Sequence, residues 1–114
     1  MHADTEQLQR QKALGAIAAL RLPTTWKLEG YDTTRLHADQ ESDLQSVGAI
    51  YTDTATRGIE MKRYKIVYHV FSDRLAVVEK SIIDFGKYKY SCLTSNCTIE
   101  QMNNYLEGRQ SESA

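Results

Sequence analysis

The segment Glu60–His69, with the sequence EMKRYKIVYH, decides the fold because it has the pattern of a β-strand with two chemically different faces. Alternate residues place Tyr64 and Ile66 on one face, whereas Arg63 and Lys65 lie on the other. This alternation is typical of a strand in an antiparallel sheet with one buried face and one face in water. The sequence therefore predicts a sheet with an aromatic inner face and a basic outer face.

The residues that follow predict a central hairpin. A strand over residues 59–71 is followed by the short polar segment 72–74, and residues 75–83 are again rich in valine and isoleucine. Two such runs joined by a few turn-forming residues are typical of paired antiparallel strands.

A further strand is predicted after a bend at residues 85–86, where a glycine follows a phenylalanine. Bases and aromatics alternate again in this strand, and we expect the same separation as in the hairpin. The predicted outer residues are Lys87 and Lys89, and the predicted inner residues are Tyr88, Tyr90 and Cys92.

Helices are predicted at both ends of the chain, over roughly residues 5–21 and 98–107. The first has apolar residues at helical spacing and ends before Pro23, which cannot continue a helix. The second begins with the capping-box pattern of Thr98–Gln101 and is expected to stop at Gly108.

The segment between these elements is less regular. Residues 26–31 and 47–52 predict two shorter strands. Residues 32–46 have many acids and little apolar periodicity, so we expect a solvated loop or a short polar helix there.

Together these elements predict one α+β domain over residues 1–110, followed by a disordered tail over residues 111–114. Its sheet has three to five antiparallel strands with a central hairpin, and both helices pack on one face, as a two-layer domain requires. The chain has 114 residues, 41% hydrophobic residues and 25% charged residues, which is the composition of an ordinary globular domain. The apolar run 13–22 is interrupted by Arg21 and resembles neither a signal sequence nor a membrane span, so a cytoplasmic location is expected.

Charge is distributed unevenly although the formal net charge is only −1. Residues 29–56 hold six acids and one base, whereas residues 57–90 hold eight bases and four acids. The two regions either form a dipolar surface or neutralise each other in the fold.

The two cysteines and the acidic segment offer few chemical sites. A lone C-x4-C pair, Cys92 and Cys97, cannot form a four-ligand zinc site, and we expect two reduced thiols or a local disulfide. As a nucleophile, Cys97 is the better candidate because it precedes a helix N-terminus, although neither thiol has a catalytic signature around it. The stretch His37–Asp43, HADQESD, lacks the glycine turn and terminal glutamate of a calcium loop. No catalytic residues, metal or cofactor are predicted.

Function is then argued by exclusion. A single domain with no catalytic pattern and a two-signed surface is most consistent with a non-enzymatic protein-interaction module, in the form of an inhibitor, adaptor or immunity-type regulator. The alternative is a nucleic-acid-binding domain that uses the basic strand face, and the third hypothesis is a small cysteine-dependent enzyme. The predicted binding residues are Arg63, Lys65, Lys87, Lys89, Tyr31 and Tyr51.

The predicted alternation separates the two leading hypotheses. A platform for single-stranded nucleic acid needs aromatic side chains exposed beside basic side chains. Nucleobases stack on the aromatic rings while the basic side chains neutralise phosphates. The sequence pattern places tyrosines and bases on opposite faces, so a protein partner of unknown identity ranks above nucleic acid.

Overall fold

The computed structural model describes residues 2–38, 42–84 and 86–113, and within them a helix precedes five strands and a second helix. A single 3₁₀ turn, Gly58–Glu60, precedes the third strand. In chain order the elements are α1 (His2–Ala18), β1 (Trp26–Arg35), β2 (Leu44–Asp53), β3 (Lys62–His69), β4 (Arg74–Asp84), β5 (Lys87–Cys97) and α2 (Ile99–Ser113).

The five strands form one antiparallel meander in the order β1-β2-β3-β4-β5. Helix α1 packs on β2 and β3, and α2 packs on β4 and β5. Both helices lie on the same side of the sheet, which confirms the predicted α+β architecture. We call the side under the helices the covered face and the opposite side the open face.

The covered face holds the hydrophobic core, and β3 supplies its centre. Tyr64, Ile66 and Tyr68 are buried there, as the alternation in β3 predicts, while Arg63 and Lys65 lie on the open face. The Trp26 ring stacks on Tyr64, with ring centroids 4.3 Å apart. The other buried apolar residues of this core are Ala13, Ala16, Ile17, Leu20, Leu44, Val47, Ala49, Tyr51, Leu75, Val77, Cys97, Met102 and Leu106.

Helix α1 ends at Ala18, earlier than the predicted residue 21, because a side chain of α2 terminates it. The Asn103 amide donates a hydrogen bond to the Ala19 carbonyl and accepts one from the Arg21 backbone N–H at 2.7 Å. Asn103 is buried, and these bonds satisfy its amide. One polar residue therefore joins the two helices.

Helix α2 begins as predicted and ends later than predicted. The Thr98 hydroxyl accepts from the Gln101 N–H while the Gln101 side chain accepts from the Thr98 N–H, which is the expected capping box. The helix passes through Gly108, predicted as its end, and continues to Ser113, which includes residues predicted as a tail. Arg109 favours this extension, since its guanidinium bonds the hydroxyls of Tyr64 and Tyr105.

The sequence pattern predicts a loop or a short polar helix over the acidic segment 32–46, but both ends of the segment belong to strands. β1 runs through its first residues to Arg35, and β2 already begins at Leu44. β-branched Thr33 and Thr34 pair with Val47 and Ser46, which explains the longer strands. Asp39 and Glu41 lie outside the described residues.

The predicted orientation of β5 is wrong. Asp84 of β4 pairs with Lys87 of β5 at the turn. If the pairing continued regularly from there, Lys89 would lie opposite Ile82. The register instead shifts between Ile82 and Asp84, so that Tyr88 lies opposite Ile82. A shift of one residue exchanges the two faces of a strand.

The exchange moves five side chains. Tyr88, Tyr90 and Cys92 lie on the open face, and Lys87 and Lys89 project toward the opposite side. The sequence pattern in β5 therefore separates aromatics from bases as expected, but with the sides reversed.

Neither helix in the described part of the chain is long and apolar enough to span a membrane.

Candidate functional site

The open face carries a row of side chains that crosses all five strands. Cross-strand pairing places Lys27 opposite Thr52, Thr52 opposite Arg63, Arg63 opposite Lys80, and Lys80 opposite Tyr90. We call these five residues the basic row. Four interstrand spacings separate its ends, a span of about 19 Å.

The basic row is electrostatically unfavourable in isolation. Arg63 and Lys80 are directly opposite each other, and like charges in that position destabilise a sheet. In the described residues, no carboxylate lies within salt-bridge distance of Arg63, Lys80 or Lys27. An anionic ligand bound across the row would relieve this repulsion.

Two tyrosines of β5 lie beside the bases of the row. The Lys80 ammonium is 4.1 Å from the centre of the Tyr88 ring and 5.8 Å from that of Tyr90, within the range of cation–π attraction. Tyr88 and Tyr90 are 50% and 66% exposed. The ring faces and the ammonium therefore form one continuous surface next to solvent.

A concave pocket of about 360 Å³ lies between β1 and β5 on this face. Ile50, Val67 and Val78 contribute apolar surface to its lining. Asp32, Arg63, Tyr64, Lys65, Lys80 and Tyr90 complete the lining. An apolar floor with a few charged groups at the rim is typical of a ligand site.

An ion pair on β1 and β3 crosses the strand between them. Lys65 Nζ lies 2.6 Å from Asp32 Oδ2, and both side chains are part-exposed. The two side chains lie over Gly48 of β2, where an added Cβ would be 2.5 Å from Asp32 Oδ1 and 2.9 Å from Lys65 Cδ. A glycine inside a strand often marks such a close approach.

The predicted binding residues do not form one surface. Arg63 and Lys65 lie on the open face, but Lys87 and Lys89 project away from it because of the register shift. Tyr51 is 5% exposed on the covered face, so its ring cannot contact a partner in this structure. Tyr31 pairs with buried Ala49 and is exposed at the edge of that same covered face.

The residues that the sequence analysis missed are Lys27, Lys80, Tyr88 and Tyr90. One signal for the last two is present at Ile82-Ile83, because adjacent apolar residues beside a turn are compatible with a bulge as well as with regular alternation. The cross-strand alignment of Lys27 with Lys80 has no local signal, since it depends on the register of three strand pairs.

In the part of the chain that the structure describes, neither thiol is hydrogen-bonded to an imidazole. Cys97 is buried on the covered face, whereas Cys92 is exposed on the open face, and both are free cysteines. His69 lies opposite Arg74 of β4, and Cys92 lies opposite Val78 of the same strand. Arg74 and Val78 are four residues apart, which is roughly 13 Å along β4. His37 is exposed beyond the end of β1. Among the described side chains no metal-binding cluster of His, Cys, Asp or Glu occurs.

No family model matches the chain, and neither a curated protein nor a solved structure is detectably similar to it. The side-chain geometry of the open face is therefore the basis for assigning a function.

Proposed function

We propose that the protein binds single-stranded nucleic acid on the open face of its sheet. Arg63, Lys80 and Lys27 neutralise phosphates, and the rings of Tyr88 and Tyr90 stack on nucleobases. The observation that carries the proposal is the β5 register. It places exposed aromatic rings directly beside basic side chains on an uncovered surface. This is the combination that the sequence pattern was expected to exclude.

Local charge supports the proposal despite the formal net charge of −1. The acids of β1 and β2 do not neutralise the basic row. Asp32 pairs with Lys65, Asp53 shares the covered side with Trp26, and Glu29 forms no ion pair with a described residue. A polyanion crossing the row would contact basic side chains on β1, β3 and β4 in succession.

Exposed rings favour a single strand over a duplex. The faces of bases inside a duplex are stacked on their neighbours and are not available to protein aromatics. Tyr88 and Tyr90 are two residues apart on one side of a strand, a rise of about 7 Å, so both rings can receive unstacked bases of the same strand. The contact needs no fixed sequence, since every base has a π-face.

A protein partner is the second candidate, and a different surface favours it. Ile59 and Ile83 are 64% and 60% exposed beside a cleft at one end of β4, and exposed apolar clusters are frequent in protein interfaces. The predicted binding residues Tyr31 and Arg63 do not contribute to this surface as a group, because they lie on opposite sides of the sheet. An inhibitor or adaptor role would use the isoleucine surface instead.

The two candidates can be separated with a matched pair of double variants. The first is Arg63→Gln with Lys80→Gln on the open face, and the second is Lys87→Gln with Lys89→Gln on the opposite side. Both remove two positive charges, so a general charge effect would be equal in the two proteins. Fluorescence anisotropy with labelled single-stranded RNA and DNA, titrated at several salt concentrations, measures the affinity and its salt dependence.

We expect the open-face variant to weaken binding about tenfold or more at low salt and to reduce the log–log salt slope by roughly 1.4, whereas the control changes both only slightly. Tyr90→Ala should lower the affinity by about 1–3 kcal/mol through lost stacking. Wild-type protein that does not bind either nucleic acid at low salt overturns the proposal. Equal losses in the two double variants also overturn it, since the open face would then have no special role.

A further inference from the structure

The ion pair between Asp32 and Lys65 borders the proposed nucleic-acid surface and is not needed for phosphate binding. Lys65 uses one of its three N–H donors on Asp32, and the carboxylate has further lone pairs available. Both side chains line the concave pocket together with three members of the basic row, Arg63, Lys80 and Tyr90. The pair therefore presents a donor and an acceptor side by side to anything that enters the pocket.

We propose that this pocket binds one guanine base and selects it by its Watson–Crick edge. The Asp32 carboxylate accepts from the guanine N1–H and the N2 amino group, and the Lys65 ammonium donates to O6. The inference rests on the proposed function, because the base reaches the pocket as part of a strand bound on the open face.

Guanine is preferred because it alone matches the pair at three polar positions. A carboxylate is an acceptor only, and guanine offers two neighbouring N–H donors to it beside an acceptor for the ammonium. The Watson–Crick edges of adenine, cytosine and uracil each offer a single donor group beside their acceptors. A site that binds a base through buried or partly buried polar groups rejects analogues that leave one of them unpaired.

The remaining lining suits a flat heterocycle. Ile50, Val67 and Val78 contribute apolar surface, while Tyr90 borders the pocket on the β5 side. Tyr90 belongs to the basic row, so a base in the pocket remains connected to phosphates bound on Arg63 and Lys80. One guanine within a bound strand is consistent with this volume and with the neighbouring stacking surface.

Gly48 acts as a positioning residue in this arrangement. The Asp32 and Lys65 side chains lie over its Cα position, and a methyl group there would displace both of them. All the close atoms belong to the Asp32 and Lys65 side chains and none is backbone, so Gly48→Ala is expected to preserve the fold while displacing the two side chains. Gly48→Ala keeps both charged side chains and changes where they lie. The variant therefore tests whether base selection depends on the position of the pair.

The test uses the full chain and labelled oligouridine strands that carry one variable base, which is guanine, inosine, adenine or cytosine. We expect guanine to be bound about five- to fifty-fold more tightly than adenine, in the range of a good multidentate base contact. Inosine lacks the N2 amino group and should have an intermediate affinity. Each affinity is measured by anisotropy at one fixed salt concentration.

Three variants accompany the wild type. Asp32→Asn should reduce the guanine preference to about twofold or less without weakening binding of the adenine strand, because the amide presents one acceptor instead of two. Gly48→Ala should reduce the preference in the same way. Glu29→Gln, which removes an exposed carboxylate from the same strand, should retain the full preference.

The outcomes distinguish this inference from the proposed function. Binding of all strands with equal affinity supports nucleic-acid binding and overturns guanine selection. A guanine preference that persists in Asp32→Asn overturns the assigned role of the carboxylate. A third outcome is that the wild type shows no base preference while Asp32→Asn binds every strand more tightly. This result would show that Asp32 only competes with phosphate for Lys65. An absence of binding by any strand overturns both proposals.

Discussion

The two faces of this sheet use the same residue type for opposite purposes. On the covered face Tyr51, Tyr64 and Tyr68 are buried under the helices and belong to the core. On the open face Tyr88 and Tyr90 lie in solvent beside Lys80. Tyrosine content therefore says little about function, and the side of the sheet on which each ring lies decides its role.

Strands β3 and β5 differ in how firmly their sequences specify that side. In β3, Tyr64, Ile66 and Tyr68 alternate with charged or smaller residues and pair in regular register with both neighbours. In β5 the pairing with β4 shifts at several positions. Register is strongly specified only where one set of alternate residues must be buried, and most of β5 is exposed on both sides.

The largest expected effect compares the two thiols. Cys92 is exposed on the open face and should react with iodoacetamide at a rate close to that of a free thiol, whereas Cys97 is buried and must wait for local opening. An opening free energy of about 4 kcal/mol would make Cys97 react roughly a thousand times more slowly. Mass spectrometry of the native protein over time measures both rates.

Single-cysteine variants, Cys92→Ser and Cys97→Ala, assign the two rates to their residues. Slow labelling of the protein that retains only Cys92 would contradict the register of β5 at Tyr90 and Cys92, and rapid labelling of the protein that retains only Cys97 would contradict the burial of Cys97. Labelling in denaturant, where both thiols should react alike, is the control for intrinsic reactivity.

The architecture could be predicted from the sequence because it depends on local patterns. The capping box at Thr98–Gln101 and the alternation in β3 each involve side chains a few residues apart. The stop of α1 could not be predicted in this way, since Asn103 reaches it from the other end of the chain. The passage of α2 through Gly108 similarly depends on Arg109 contacting Tyr64 on a distant strand.

The candidate site was predicted only in part, for the same reason. Arg63 and Lys65 follow from alternation within one strand. Lys27 and Lys80 join them through successive strand pairings, and Tyr90 joins through a shifted one. A single irregular pair in the β4–β5 hairpin is sufficient to exchange the predicted and observed members of the site.

The next expected effect concerns the stability contributed by the two sides of β3. Ile66→Ala should lower the free energy of unfolding by roughly 2–4 kcal/mol, because it opens a cavity at a completely buried position. Lys65→Ala removes only a part-exposed ion pair and should cost less than about 1 kcal/mol. Chemical denaturation of both variants measures the difference, and equal costs would contradict the assignment of the two faces.

The smallest expected effect is a loss of stability in alkali that originates on the covered face. Burial, reinforced by the neighbouring Glu79 carboxylate, raises the pKa of Tyr64 to about 12 from an ordinary value of 10, and burial also raises the pKa of Tyr68. Because the unfolded chain loses these protons first, the stabilisation is complete below pH 10 and declines as the pH rises toward 12. For Tyr64 the decline between pH 8 and pH 11 is roughly 1 kcal/mol. Denaturant unfolding of wild type and Tyr64→Phe at pH 8 and pH 11 tests this, with each protein referred to its own stability at pH 8. We expect a smaller decline in Tyr64→Phe, and identical declines would show that the covered face does not hold this hydroxyl away from water.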